Sequence, residues 1–116
     1  MRSDCLVYLS GPITAKDGRS VEQNVADAVV AYLACLRAGV PAFCPHLSGA
    51  FPSAFDLPYE LWLAYDFAVI ARCTHMVLLP RWETSAGAQR ERDFARERGI
   101  PILTWPELPI GATDGD

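Results

Sequence analysis

Residues 75–104, HMVLLPRWETSAGAQRERDFARERGIPILT, decide the fold. His75–Leu79 is a short apolar run closed by Pro80, and it reads as a buried strand. Arg81–Thr84 is a loop. Ser85 stands where a helix N-cap belongs, the helix runs to Arg98, and Gly99 sits where a helix stops. Ile100–Thr104 is a second apolar run. A strand, an amphipathic helix and a strand in this order form a βαβ unit, which joins parallel strands.

The pattern extends toward the N-terminus. Pro58 can open a helix whose apolar residues are Leu61, Trp62, Tyr65, Val69, Ile70 and Cys73. Pro45 to Pro58 is a long Pro/Gly/Ser loop carrying Phe51 and Phe55, and loops this long are often functional. Val40–Cys44 is a strand interrupted by Pro41, hence short or at an edge. Ser20 caps a helix to Arg37, and Gly39 follows it. Cys5–Ser10 is the first strand, ending at the Gly11-Pro12 turn. The order is β-α-β-α-β-α-β. It predicts one α/β domain over residues 1–105: a doubly wound parallel sheet of about four strands in order 2-1-3-4, with helices on both faces. The Pro-, Gly- and Asp-rich residues 106–116 are expected to form a flexible tail. Such sheets bind ligands beyond the strand carboxyl ends, where the strand order reverses. That reversal selects two loops, Gly11–Thr14 and Pro80–Ser85.

The totals narrow the function. Of 116 residues, 51% are hydrophobic and 21% charged, which suits one packed core. A formal net charge of −4 argues against a surface dedicated to a nucleic-acid polymer. Cys5, Cys35, Cys44 and Cys73 lack CxxC spacing and sit among apolar neighbours, so buried reduced thiols are expected rather than a disulfide framework or a zinc site. Asp4 and the short apolar run after it do not make a signal peptide, and no stretch approaches a membrane span. No dinucleotide fingerprint or P-loop is present. A cytoplasmic protein with no membrane association, no metal and no cofactor is expected. His46 and His75 lack ligand spacing and read as structural.

Two carboxylates are misplaced. Helical spacing puts Gly87, Glu91, Phe94, Ala95 and Arg98 on the inward face of the last helix, while Gln89, Arg90, Arg92, Asp93, Arg96 and Glu97 face out. Glu91 therefore either serves chemistry at the strand ends or pairs with an arginine such as Arg72 or Arg98. Asp66 repeats the anomaly in the preceding helix, where a carboxylate is costly unless partnered or functional. Alone, it reads as a group bonding nearby backbone. Two such carboxylates near one cleft suit work at a glycosidic carbon. Ser85-Ala86-Gly87 opens the last helix and offers amides to an anion, or is an ordinary cap. Gly11-Pro12 is a turn that also admits close approach of a ligand. Tyr8 faces the cleft or simply packs.

VYLSGPIT, Asn24, Asp66 and MVLLPRWETSAGAQRERDFA together resemble the nucleoside 2-deoxyribosyltransferase-like superfamily, from about Leu6 to Ile102. The most specific element is Ser-x-Gly-x-x-x-Glu after a strand, here Ser85, Gly87 and Glu91. Members share a flavodoxin-like, Rossmann-like sheet and cleave or transfer N-glycosidic bonds of nucleosides or nucleotides. The resemblance implies Glu91 as nucleophile, Asp66 as acid–base partner of the leaving base, and Tyr8 as the residue orienting the nucleophile. Gly11, Pro12, Ser85, Gly87, Arg81 and Trp82 would then bind substrate. Serine at position 85 resembles the nucleotide N-hydrolases, where it helps hold a 5′-phosphate, rather than the transferases. The chain departs at Thr74, where many relatives carry Asp, and at Arg81, where many carry Gly.

The expected partner is thus a small nucleoside or nucleotide. The rival readings are a nucleotide-binding module without turnover and an interaction subunit using Phe51, Phe55, Tyr59, Trp62 and Tyr65. That aromatic segment, in a small domain, also predicts a homo-oligomer, a dimer or tetramer.

Overall fold

The computed structural model describes residues 1–50 and 56–109. Phe51 and Phe55 of the expected aromatic patch, and residues 110–116 of the expected tail, lie outside the described residues. The elements run β1 (Val7–Ser10), α1 (Val21–Arg37), β2 (Ala42–Phe43), a 3-10 helix (Pro45–Ala50), α2 (Tyr59–Ile70), β3 (His75–Leu78), a 3-10 turn (Trp82–Thr84), α3 (Ala86–Glu97) and β4 (Ile102–Thr104). All strand pairs are parallel and the order is β2-β1-β3-β4, the doubly wound order expected. β2 is a two-residue edge strand, as Pro41 foretells.

Local chemistry sets the helix ends. Ser20 accepts from the Gln23 amide while the Gln23 side chain accepts from the Ser20 amide, a reciprocal cap on α1. Ser85 Oγ accepts from the Ala88 amide at 3.1 Å and starts α3. α1 and α3 both end just before a glycine with positive φ, Gly39 and Gly99.

Strand alternation divides the core. Val7 and Leu9 point to a cluster with Ala28, Ala31 and Cys35 of α1. Tyr8, Met76 and Leu78 point to the opposite cluster, with Ile70 of α2 and Ala95 of α3. The sheet is therefore covered on both faces, and its second face carries both anomalous helices. Phe67 of α2 stacks on Phe94 of α3 with centroids 4.4 Å apart, which fixes those helices against each other.

Three details differ from expectation. On α2, Leu61 and Tyr65 are about half exposed, while Leu63 and Ile70 are buried, so the packed stripe is rotated. On α3, the buried residues are Ala88, Glu91 and Ala95; Arg98 is exposed and its guanidinium lies over Phe94. Residues 106–109, read as the start of a flexible tail, are tied back: the Glu107 amide donates to Thr104, and Leu108 packs on the α1 cluster. Among the described residues no helix is long and apolar enough to cross a membrane.

Candidate active site

A cavity of about 670 Å³ opens at the carboxyl ends of β1 and β3. Its wall includes both loops that the strand order selects. Gly11, Pro12, Arg81, Ser85, Gly87, Asp66 and Glu91 all line it.

Glu91 is 6% exposed and forms part of the floor. The Tyr8 hydroxyl donates to Glu91 Oε2 at 2.9 Å, and the Ser10 hydroxyl donates to Oε1 at 2.8 Å. Both donors come from β1, two residues apart, because alternate strand side chains share a face. Asp66 completes the group from α2, within hydrogen-bonding reach of both Glu91 and the Tyr8 hydroxyl. Neither arginine considered as a partner reaches Glu91: Arg98 lies on Phe94, and Arg72 donates to the Ala68 carbonyl at 2.7 Å.

This geometry moves protons. Burial pushes the Glu91 carboxyl up to about 8, and the charge and hydrogen bond of Asp66 push the same way. The Ser10 and Tyr8 hydroxyls oppose that shift, since both donate to the ionised form. Burial also raises Asp66, with Glu91 and Tyr8 pulling it back. Burial, followed by the two carboxylates, raises the Tyr8 phenol, so it stays a donor. The two carboxyls therefore titrate as one coupled pair, and their mutual contact, which raises Glu91 and lowers Asp66, favours the shared proton on Glu91.

Around this floor the backbone is held tightly. Gly11 allows β1 and the end of β3 to touch, since a Cβ there would lie 2.8 Å from the Leu79 Cβ. A Cβ on Gly87 would lie 3.4 Å from the Tyr59 hydroxyl. His46 is fully buried, and its Nε2–H donates to the Pro12 carbonyl at 3.0 Å. Burial first of all lowers its pKa to about 4, so it is a neutral brace on the turn, in keeping with a structural role. Asn24 donates to the carbonyls of Ile13 and Thr14 and so shapes the next stretch of the same loop.

Arg81 occupies a left-handed backbone conformation, φ 67 and ψ 18. That region favours glycine and costs another residue about 1 kcal/mol. Its side chain lines the cavity and reaches Asp27 at 2.7 Å. Trp82, the next residue, does not join the site. It packs instead on the cluster containing Leu78 and Ala95, away from the cavity lining, and lies under Arg92, ring centroid to guanidinium 5.1 Å. Thr74, the other departure, bridges strands: its hydroxyl accepts from the Leu6 amide and donates to the Leu6 carbonyl.

Sequence reasoning passed over three site residues. Ser10 carried a usable signal, being two residues beyond Tyr8 on the same strand face. Lys16 and Arg19, which also line the cavity, lie in a loop whose path no pattern reveals. Among the described residues no group of three or more His, Cys, Asp or Glu could hold a metal ion.

Residues 5–104 match a family described as a domain of unknown function, DUF4406. The chain belongs to this family. No curated protein matches it. The family description carries no activity, so the chemistry of this DUF4406 chain rests on its cavity.

Proposed function

We propose that this chain cleaves or transfers at the N-glycosidic bond of a nucleoside 5′-monophosphate or deoxynucleoside, with Glu91 as nucleophile. One observation carries the reading: Asp66 and Glu91 meet on the floor of a cavity, and two hydroxyls aim at Glu91. The resemblance to the deoxyribosyltransferase-like superfamily points the same way.

The steps follow from the shared proton. The productive form is reached when that proton passes across the contact from Glu91 to Asp66, leaving Glu91 ionised and steadied by Tyr8 and Ser10. A Glu91 oxygen attacks C1′ as the bond from C1′ to the base breaks, and the Asp66 proton passes to the leaving nitrogen. Negative charge beside C1′ stabilises an oxocarbenium-like transition state. Water, or a second base, then attacks C1′ of the glycosyl-enzyme. Asp66, now a carboxylate, takes the incoming proton, and Glu91 leaves free. Ser85 and the first amides of α3 would receive the 5′-phosphate, since amides at a helix start lack helical partners. Leu57, Tyr59 and Trp62 on the cavity wall would receive the base.

The test is base release from a panel of nucleoside monophosphates and deoxynucleosides, followed by chromatography. Wild type should release base and Glu91→Ala should not. Equal release by both would overturn the mechanism, and tight binding with no release would favour the non-catalytic module.

Two finer features accompany this reading. The four thiols are free and buried, which suits a reducing, cytoplasmic setting. Leu57, Tyr59, Leu61 and Tyr65 leave an apolar surface on and beside α2 that a second copy of the chain would cover.

A further inference from the structure

Basic side chains gather on the cavity wall although the chain as a whole is acidic, with Asp17 of the same loop among them. Four of the ten basic residues, Lys16, Arg19, Arg81 and Arg90, line the cavity. Three of them are joined in one network beside the start of α3. Lys16 Nζ donates to the Thr84 carbonyl at 2.9 Å, next to Ser85. Arg19 and Arg81 both donate to a single oxygen, Asp27 Oδ2. One carboxylate thus offsets one of two guanidinium groups, while Lys16 and the adjacent Asp17 add one charge of each sign.

Arg81 is poorly satisfied there. Its backbone sits in the left-handed region, and its Nε is buried without a hydrogen-bond partner. A guanidinium with an unused donor gains by turning toward an anion that accepts two N–H groups at once. The first phosphate of a nucleotide would already be taken by the start of α3. The network follows directly from that point, through Thr84 and Arg81.

We propose that Arg81, with Arg19 and Lys16, forms a second anion subsite that selects pyrophosphate-bearing nucleotides over monophosphates. This deepens, and rests on, the reading of the cavity as a nucleotide site. Asp27 holds the two arginines in place while the subsite is empty and competes with the incoming phosphate.

Calorimetric titration tests the subsite without any turnover. The probes are inorganic phosphate, inorganic pyrophosphate, a nucleoside monophosphate, its diphosphate, and a dinucleotide with an internal pyrophosphate. Wild type should bind pyrophosphate and the diphosphate or dinucleotide more tightly than the matched monophosphates. Whichever of these last two binds better identifies the source of the group. Arg81→Gly suits the left-handed backbone, so its melting temperature should not fall. It should weaken the pyrophosphate probes about tenfold and leave the monophosphates unchanged. Asp27→Asn should tighten the same probes. Equal loss for mono- and diphosphates in Arg81→Gly, or no tightening in Asp27→Asn, overturns the subsite. A protein that prefers pyrophosphate yet releases no base would sink the glycosidic reading and leave the subsite standing.

Discussion

α2 and α3 lie side by side on one face of the sheet, and each delivers one carboxylate to the same cavity floor. They do so in opposite settings. α3 is strongly two-sided: Gln89, Arg90, Asp93, Arg96 and Glu97 are exposed, and Ala88, Glu91 and Ala95 are buried. α2 is apolar almost all round, with buried Leu63 and Ile70 but exposed Leu61 and Tyr65. Glu91 is gripped by two β1 hydroxyls, whereas the polar contacts of Asp66 at the floor are Glu91 and Tyr8. A fixed carboxylate suits attack on carbon. A less constrained one suits carrying a proton to and from a leaving group.

The largest expected effect follows from the division of labour proposed for the two carboxylates. Glu91→Gln should lower base release about 10⁴-fold or more, whatever the leaving base, because no glycosyl-enzyme can form. Asp66→Asn should cost about 10²- to 10⁴-fold with an ordinary base. With an activated base that departs without protonation, most of that loss should return. Steady-state rates for both variants on both substrates decide the matter. Rescue of Glu91→Gln instead would reverse the two roles.

Next comes the dependence of stability on pH. The folded Glu91 carboxyl is raised from its ordinary 4.5 to about 8, and Asp66 is raised as well. A raised carboxyl makes the folded state bind protons more tightly than the unfolded chain. Its contribution is thus fully present below about pH 4.5 and is lost as pH climbs through about 8. The change corresponds to about 5 kcal/mol at most, shared with Asp66. Thermal melts should show the protein losing stability from pH 5 to pH 9, and Glu91→Gln should flatten most of that fall. A wild-type melting temperature unaffected over that range would mean the floor is wetter than its burial implies. Base release should decline on the same alkaline limb, as the shared proton leaves.

The contrast between the helices also explains what could be read in advance. The face of α3 was legible because charged residues mark the water side, so Glu91 among Gly87, Phe94 and Ala95 stood out. α2 offers no such mark. With Leu61, Trp62, Leu63, Tyr65, Phe67, Val69 and Ile70 in one helix, spacing cannot choose a buried stripe, and it chose Leu61 and Tyr65 wrongly. The strand order was legible because short apolar strands alternating with helices leave few alternatives. Trp82 was misplaced by its adjacency to Arg81. A 3-10 turn separates neighbours in sequence, and only the path of the backbone shows that Arg81 lines the cavity while Trp82 leaves it. Arg19 and Arg81 meet on Asp27, and Lys16 meets Thr84, across a loop and a helix, a purely spatial fact.

The smallest effect on the fold itself should come from the exposed side of α2. Leu61 is 53% exposed, so Leu61→Lys removes little packing within one chain and should change its stability by no more than about 0.5 kcal/mol. Its effect belongs to association. If a second copy covers Leu61 and its neighbours, a lysine there meets apolar surface and must be desolvated to stay in place. Light scattering should then show a multiple of the chain mass for wild type and a single chain for Leu61→Lys. Glu97, exposed on the polar side of α3, provides the matched comparison: Glu97→Ala should leave the mass unchanged. The site bears on the same experiment, because Tyr59 and Trp62 lie on the same helix and on the cavity wall. Dissociation should therefore weaken nucleotide binding while the Glu91 floor, held from β1, stays intact. A monomeric wild type would instead leave α2 apolar for reasons confined to one chain, and the exposed Leu61 would then be an ordinary surface leucine.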